Sequence, residues 1–259
     1  MNGLTTVNVE LTSRCNKECF CCGRRKLEKE YPELCNWGDM PIEMAYNISK
    51  QIPSGLVVQF HNNGEPLLYP HVGIALGFFK HTIRCFNTNG KLLLEKADEI
   101  IGNLETLTIS VIQDDPEGDE QYEIVREFVE FKNNRKPIMA YRMLGNIEQS
   151  DRWEKLGGIT TSRILHDPMG SFDYEKDTTK PEIGICLDLL NHCAINRHGD
   201  VSNCVRFDTQ GQGILGNIKD NTLNDIWNGP ARVKKINQHL AGKREGLCAT
   251  CDYWGIPRG

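Results

Sequence analysis

Cys15, Cys19 and Cys22, in the run CNKECFCC, set three thiols within eight residues at x3 and x2 spacing. Thiolates so spaced are metal ligands, and their number is informative, because a structural zinc ion or a closed four-iron cluster takes four. Three thiolates on a [4Fe-4S] cluster leave one iron open, and an open iron can bind a small molecule and pass it an electron. Structural zinc is the competing reading of the same spacing, and Cys21 stands beside Cys22 as a second candidate for the third position. The chain has 11 cysteines in all, ending in a Cys248-x2-Cys251 pair. With a cysteine from a hairpin, such a pair also makes a zinc ribbon.

So many cysteines suggest disulfides only in a secreted chain, and the N-terminus has no charged stretch followed by an apolar one. A reducing, cytoplasmic setting follows. No apolar run reaches the length of a membrane span. A formal charge of −5 and a pI near 5.8 argue against nucleic-acid binding. The densest basic run, RRK at 24–26, reads as a solvated loop, and the charge-rich stretch Asp114–Glu130 as a solvated helix and its approach. The elements that must hold the cysteines alternate in type. Strands are expected at Leu4–Leu11, Leu56–Phe60, Thr82–Asn87, Leu104–Ile112, Pro137–Leu144 and Thr160–Leu165, with helices near 41–51, 71–80, 92–102, 119–133 and 150–156. That alternation predicts an α/β fold with a parallel sheet, too short to close an eight-stranded barrel. Sites in such folds gather at the carboxyl ends of the strands, where the three cysteines lie.

The CxxxCxxC motif after a first strand resembles that of the radical S-adenosylmethionine (SAM) enzymes, in which the open iron takes the amino and carboxylate groups of SAM. The residue before the third cysteine is commonly aromatic there and is Cys21 here, with Phe20 as the neighbouring ring. The resemblance implies a partial (β/α)6 barrel over 1–166. It also implies a GGEP-like loop after the second strand, matched by Asn63-Gly64-Glu65-Pro66 within HNNGEPL, whose backbone and Glu hold the SAM amino group. Asn87-Thr88-Asn89-Gly90 matches a TNG motif after the third strand. Ser110 falls where a small polar residue contacts the SAM ribose, and Arg142 where a side chain approaches its carboxylate. Leu144-Gly145-Asn146-Ile147 resembles the apolar stretch behind the adenine. As turns or surface charges, these residues have plainer readings too.

After a linker at 167–185 containing Pro168, Gly170, Pro181 and Gly184, residues 186–259 resemble the SPASM and twitch extensions of the same family. The matching features, in order, are Gly199-x4-Cys204 with its hairpin signal at Arg197–Asp200, LGNI at 215–218, the Leu223–Trp227 helix and the CxxC pair. With eight residues after Cys251, the shorter twitch form is implied, its single [4Fe-4S] cluster held by Cys186, Cys204, Cys248 and Cys251. Cys193 is the alternative to Cys186. Cys21, Cys35, Cys85 and Cys193 are then left over as small buried apolar residues. In layout the chain is similar to the 2-deoxy-scyllo-inosamine dehydrogenases of the family. The expected activity is therefore reductive cleavage of SAM and oxidation of a small polar substrate, the auxiliary cluster accepting an electron. An outside one-electron donor such as flavodoxin or ferredoxin is implied. Epimerisation and peptide maturation are the enzymatic alternatives, a zinc-bearing binding module the non-catalytic one. Peptide-modifying members carry an N-terminal recognition domain and a full SPASM extension, for which 259 residues leave no room. No catalytic residue is assigned from sequence.

Overall fold

A computed structural model describes residues 1–165, 171–173, 185–205, 208 and 210–251. In chain order the first part runs β1 (Thr6–Val9), α1 (Arg24–Glu30), α2 (Ile42–Ser49), β2 (Val57–Gln59), α3 (Val72–Phe78), β3 (Ile83–Thr88), α4 (Ala97–Ile100), β4 (Thr106–Ile112), α5 (Gly118–Lys132), β5 (Ile138–Leu144), α6 (Ser150–Glu154) and β6 (Ile159–Arg163). All six strands pair in parallel and in sequence order. This is the expected partial barrel, its elements mostly trimmed by one to five residues at their ends, while β3 runs one residue further than expected and β6 and α5 begin one residue earlier. The main shortfall is α4, where residues 92–96 form turns.

The alternation within the strands sets the site. On β4 and β5, Leu107, Ile109 and Val111, then Met139, Tyr141 and Met143, are buried, with polar Thr106, Thr108, Ser110 and Arg142 on the opposite face. The buried face meets α5 and α6, where Tyr141 and Tyr122 lie 5.5 and 5.3 Å from the Trp153 ring. Each such side chain contributes about 1.5–3 kcal/mol by leaving water. Strands of parallel sheets are usually apolar on both faces. Here the second face is polar and half-open, and it makes one wall of a cavity.

The second part comprises α7 (Leu187–Asn191), β7 (His192–Ile195), β8 (Asp200–Ser202), β9 (Ile214–Asn217), α8 (Leu223–Asn228), α9 (Pro230–Leu240) and α10 (Leu247–Thr250). β7 pairs in parallel with the free side of β1, from Thr6 opposite His192 to Val9 opposite Ile195. β8 and β9 continue antiparallel, so one nine-stranded sheet crosses both parts. The expected hairpin forms at 196–199, where Gly199 has φ +93°. Trp227 on α8 donates its indole N–H to Asn2 O at 2.9 Å, and Arg232 stacks on that indole at 3.6 Å while donating to the carbonyls of Leu189, Leu190 and Trp227.

The basic run RRK is not a solvated loop. It opens α1, and Arg24 is 5% exposed, donating to Ser13 O at 2.9 Å and Asn63 O at 3.3 Å beneath the Trp37 ring. A flat guanidinium suits that place because it stacks on an indole while satisfying carbonyls of irregular loops. The linker residues Pro168, Gly170, Pro181 and Gly184 and the tail 252–259 lie outside the described residues. Among those described, no helix is long and apolar enough to cross a membrane.

Candidate active site

The loop from Ser13 to Cys22 follows β1 and is fastened on every side. Arg14 makes a two-pronged pair with Asp39, at 3.0 and 2.7 Å. Asn16 accepts from Asn89 Nδ2 at 2.8 Å. Lys17 pairs with Asp115, both side chains nearly inaccessible to solvent. Asp115, expected on a solvated approach to a helix, is thus a buried anchor. Cys15, Cys19, Cys21 and Cys22 all line a cavity of about 670 Å³. Burial raises the Cys19 thiol to about 12, with Cys22, Cys21 and Cys15 adding to the effect. The thiols therefore stand close enough to feel one another. Phe20 lies 5.5 Å from Phe172, edge to face.

The opposite wall is the loop after β2. Gly64 sits hard against the cysteine loop: a methyl group there would lie 2.2 Å from Thr12 O and 2.7 Å from Arg14 O. Glu65 N–H donates to Arg14 O at 2.8 Å and closes the contact. The Glu65 carboxylate, 3% exposed, accepts from Leu67 N and Thr88 Oγ1 on Oε1, at 3.1 and 2.7 Å, and from Asn89 N on Oε2 at 2.8 Å. Burial raises its pKa, and those bonds work against the rise. Asn89 is tied to Asn16 and to Lys91 N. Asn63, Gly64, Glu65, Asn89 and Ser110 all line the cavity together with Leu144, whereas Pro66 and Arg142 do not. Arg142 is half-buried between Ser110 and Thr161, and its charge acts on His61 and Cys85.

Two residues without an assigned role from sequence belong to this region. Glu10, 4% exposed, accepts from Asn63 N at 3.1 Å and from Arg197 N at 3.3 Å. It joins the β1 end, the loop after β2 and the β7–β8 hairpin. Burial raises its pKa against those bonds. Its signal was present, since Thr6, Asn8 and Glu10 put polar groups at a period of two in an otherwise apolar strand. His61 lines the cavity, and its Nδ1 accepts from Asn87 N at 3.2 Å.

The C-terminal cysteines form a second group. Cys248 is raised by burial and by its neighbours Cys186 and Cys251, and its thiol meets the Asn203 side chain. Cys204 follows Asn203 on the loop after β8, and its N–H donates to Ser202 Oγ at 3.1 Å. Cys186 N–H donates to His239 Nδ1 at 3.4 Å. Cys193 stands apart on β7, fully buried in the apolar core beside Val7, with Arg232 as its charged neighbour. Of the four leftover cysteines it alone is fully buried. Cys21 lines the cavity, Cys85 faces the barrel interior, and Cys35 is partly exposed.

Among the described residues, no three His, Cys, Asp or Glu side chains converge as tightly as a single metal ion requires. An iron–sulfur cube spreads its ligands round a larger body, which suits Cys15, Cys19 and Cys22 at one roomy cavity and Cys248 with Cys186 and Cys251 as its neighbours.

Residues 186–252 match the family model of the SPASM domain, an iron–sulfur cluster-binding domain. No curated protein matches by sequence. Solved structures that share the fold include the following three. BtrN, in complex with AdoMet and 2-DOIA, superposes with a TM-score of 0.62 at 17% identity over 92% of this chain and 88% of that one. Streptococcus suis SuiB, bound to precursor peptide SuiA, gives 0.66 at 14% identity over 90% and 66%. Native anSMEcpe with bound AdoMet gives 0.63 at 14% identity over 95% and 86%.

Proposed function

We propose that this chain, which has the partial-barrel fold of radical SAM enzymes and a SPASM-type region at 186–252, is a radical SAM oxidoreductase acting on a small polar substrate. The observation that carries the reading is that the three cysteines of the CxxxCxxC motif line one cavity with the Asn63–Glu65 loop and the polar ends of β3 and β4. Cys15, Cys19 and Cys22 would hold one [4Fe-4S] cluster there, and Cys186, Cys204, Cys248 and Cys251 a second. Residues 1–166 are then read as the catalytic barrel and 186–259 as the auxiliary unit, whose strand β7 pairs with β1. When bound, cluster and SAM together supply a 5′-deoxyadenosyl radical able to take hydrogen from an unactivated C–H bond.

The chain's own residues bind, orient and exclude water. Glu65 has three of its roughly four acceptor directions filled, and the one remaining on Oε2 suits a single N–H of the SAM amino group. Asn63 and Gly64 offer backbone at the same wall, and Ser110 and Asn89 offer polar contacts nearer the ribose. Arg142, beside Ser110 in the sheet, places its charge near His61 and Cys85. Complete thiolate ligation would leave the auxiliary group without an open iron, which suits it to accept the electron given up by the substrate radical as that radical loses a proton; a flavodoxin- or ferredoxin-type donor would supply the separate electron consumed in SAM cleavage.

Anaerobically reconstituted protein should carry about eight iron atoms, two four-iron cubes. Replacing Cys15, Cys19 and Cys22 by Ala should halve that and abolish 5′-deoxyadenosine formation. A triple variant that still makes it, or a colourless wild type holding zinc, would overturn the proposal. The likeness to a peptide-bound structure favours a second reading, modification of a peptide. Tracing deuterium from labelled polyols and labelled peptides into 5′-deoxyadenosine separates the two. A product at the substrate's own oxidation level would replace dehydrogenation by epimerisation or rearrangement.

A further inference from the structure

His61 is a cavity-lining group with a hydrogen bond fixed by the backbone, and the mechanism above gives it no role. Its Nδ1 accepts from the backbone N–H of Asn87 at 3.2 Å. Asn87 lies within β3, in register with Thr108 of β4, so that donor cannot swing away. A ring nitrogen that accepts carries no proton, and the neutral imidazole must then be protonated at Nε2. Burial, above all, keeps the ring neutral. Burial, then Arg142 on β5 and His192 on β7, lower its pKa to about 3. The carboxylate after β1, Glu10, is engaged by the amides of Asn63 and Arg197, and the nearby Cys85 thiol is raised by burial to about 12, so it is uncharged. His61 is thus a fixed, uncharged donor lining the cavity that holds the three cysteines.

We propose that His61 is a specificity-determining residue whose Nε2–H donates to an oxygen of the substrate, a hydroxyl or carbonyl, and which refuses an ammonium at that point. This rests on reading the cavity as the site of a small polar substrate. An ammonium has only hydrogens to offer; it would meet an N–H and lie near the Arg142 charge. An alcohol oxygen offers the lone pair that a fixed donor needs. Since Nε2 already bears its proton, His61 does not remove one, and a proton lost on oxidation leaves by another group.

The test uses the full chain, anaerobically reconstituted, with 15N-labelled histidine. His61→Gln identifies the signal. Nδ1 should resonate as an unprotonated nitrogen and Nε2 as a protonated one from pH 8 to 5.5. Adding myo-inositol should shift Nε2–H, and cyclohexylamine should not. His61→Phe should weaken inositol binding roughly threefold to tenfold, the worth of one neutral hydrogen bond. His61→Gln, whose amide N–H reaches the place of Nε2, should recover most of it. A proton on Nδ1, protonation within that pH range, an equal response to the amine, or no response to inositol would each overturn the proposal. Iron content and SAM cleavage are measured on the same samples. Their failure would count against the enzyme reading and leave the tautomer result standing.

Discussion

Gly64 has no room for a methyl group. A Cβ 2.2 Å from Thr12 O could be admitted only by moving the backbone that precedes Cys15. Overpacking of this kind costs about 1–3 kcal/mol. Gly64→Ala should therefore lower the melting temperature by several degrees, about 2–4 °C per kcal/mol at this size. Its more telling effect is local: the iron held at Cys15, Cys19 and Cys22 should fall while that at the C-terminal cysteines stays. Equal loss from both would show the clash to be global. Glu10 gives a second test, since it accepts from two backbone N–H groups on separate loops. In Glu10→Gln an amide NH2 must face one of them, leaving a buried donor unmatched at about 1–3 kcal/mol. Urea unfolding should show that loss, and Glu10→Asp, which keeps the charge but shortens the reach, should not recover it fully.

Between strands, Arg84 on β3 and Glu105 just before β4 form the best-bonded pair, with contacts of 2.7, 3.0 and 3.2 Å. Burial opposes ionisation of Glu105, yet the Arg84 bonds outweigh it and hold the carboxyl below its usual range. An unfolded chain then takes up this proton at higher pH than the folded one. The stabilisation is complete above the unfolded value, about 4.3, and is lost as pH falls through the folded one. Glu105→Gln should cost about 1–3 kcal/mol at pH 7, and its gap from wild type should close on acidification, as read by denaturant titrations. A gap independent of pH would assign the cost to packing. The order of elements was legible in sequence because each βα unit announces itself locally, as LTISVI does with its alternating apolar positions. Burial of Arg24 was not legible, since its partners Trp37, Ser13 and Asn63 come from three separate loops. Cysteine spacing pointed to the ligands and HNNGEPL to the facing wall. The Lys17–Asp115 anchor spans 98 residues, and no local pattern marks it.

At the scale of the molecule, the second part completes the sheet of the first, and α8 binds it to the N-terminus through Trp227 and Asn2. Trp227→Ala should cost about 3–5 kcal/mol, the usual range for a buried tryptophan, and should loosen β1 as well as α8. Hydrogen exchange at Val7 and Val9 would report it; protection unchanged there would mean that the two parts are stable separately. The pairing of β1 with β7 also imposes an order of events during synthesis. The residues that cover the outer side of β1 follow it by 183 positions, from Val9 to His192. At roughly 5–20 residues per second the ribosome needs about 10–35 s to supply them. From the pairing of β1 with β2 until then, the growing sheet exposes the unpaired outer edge of β1, a template for association with other chains. Slowing translation downstream of β6 should lengthen the exposure and lower the soluble yield.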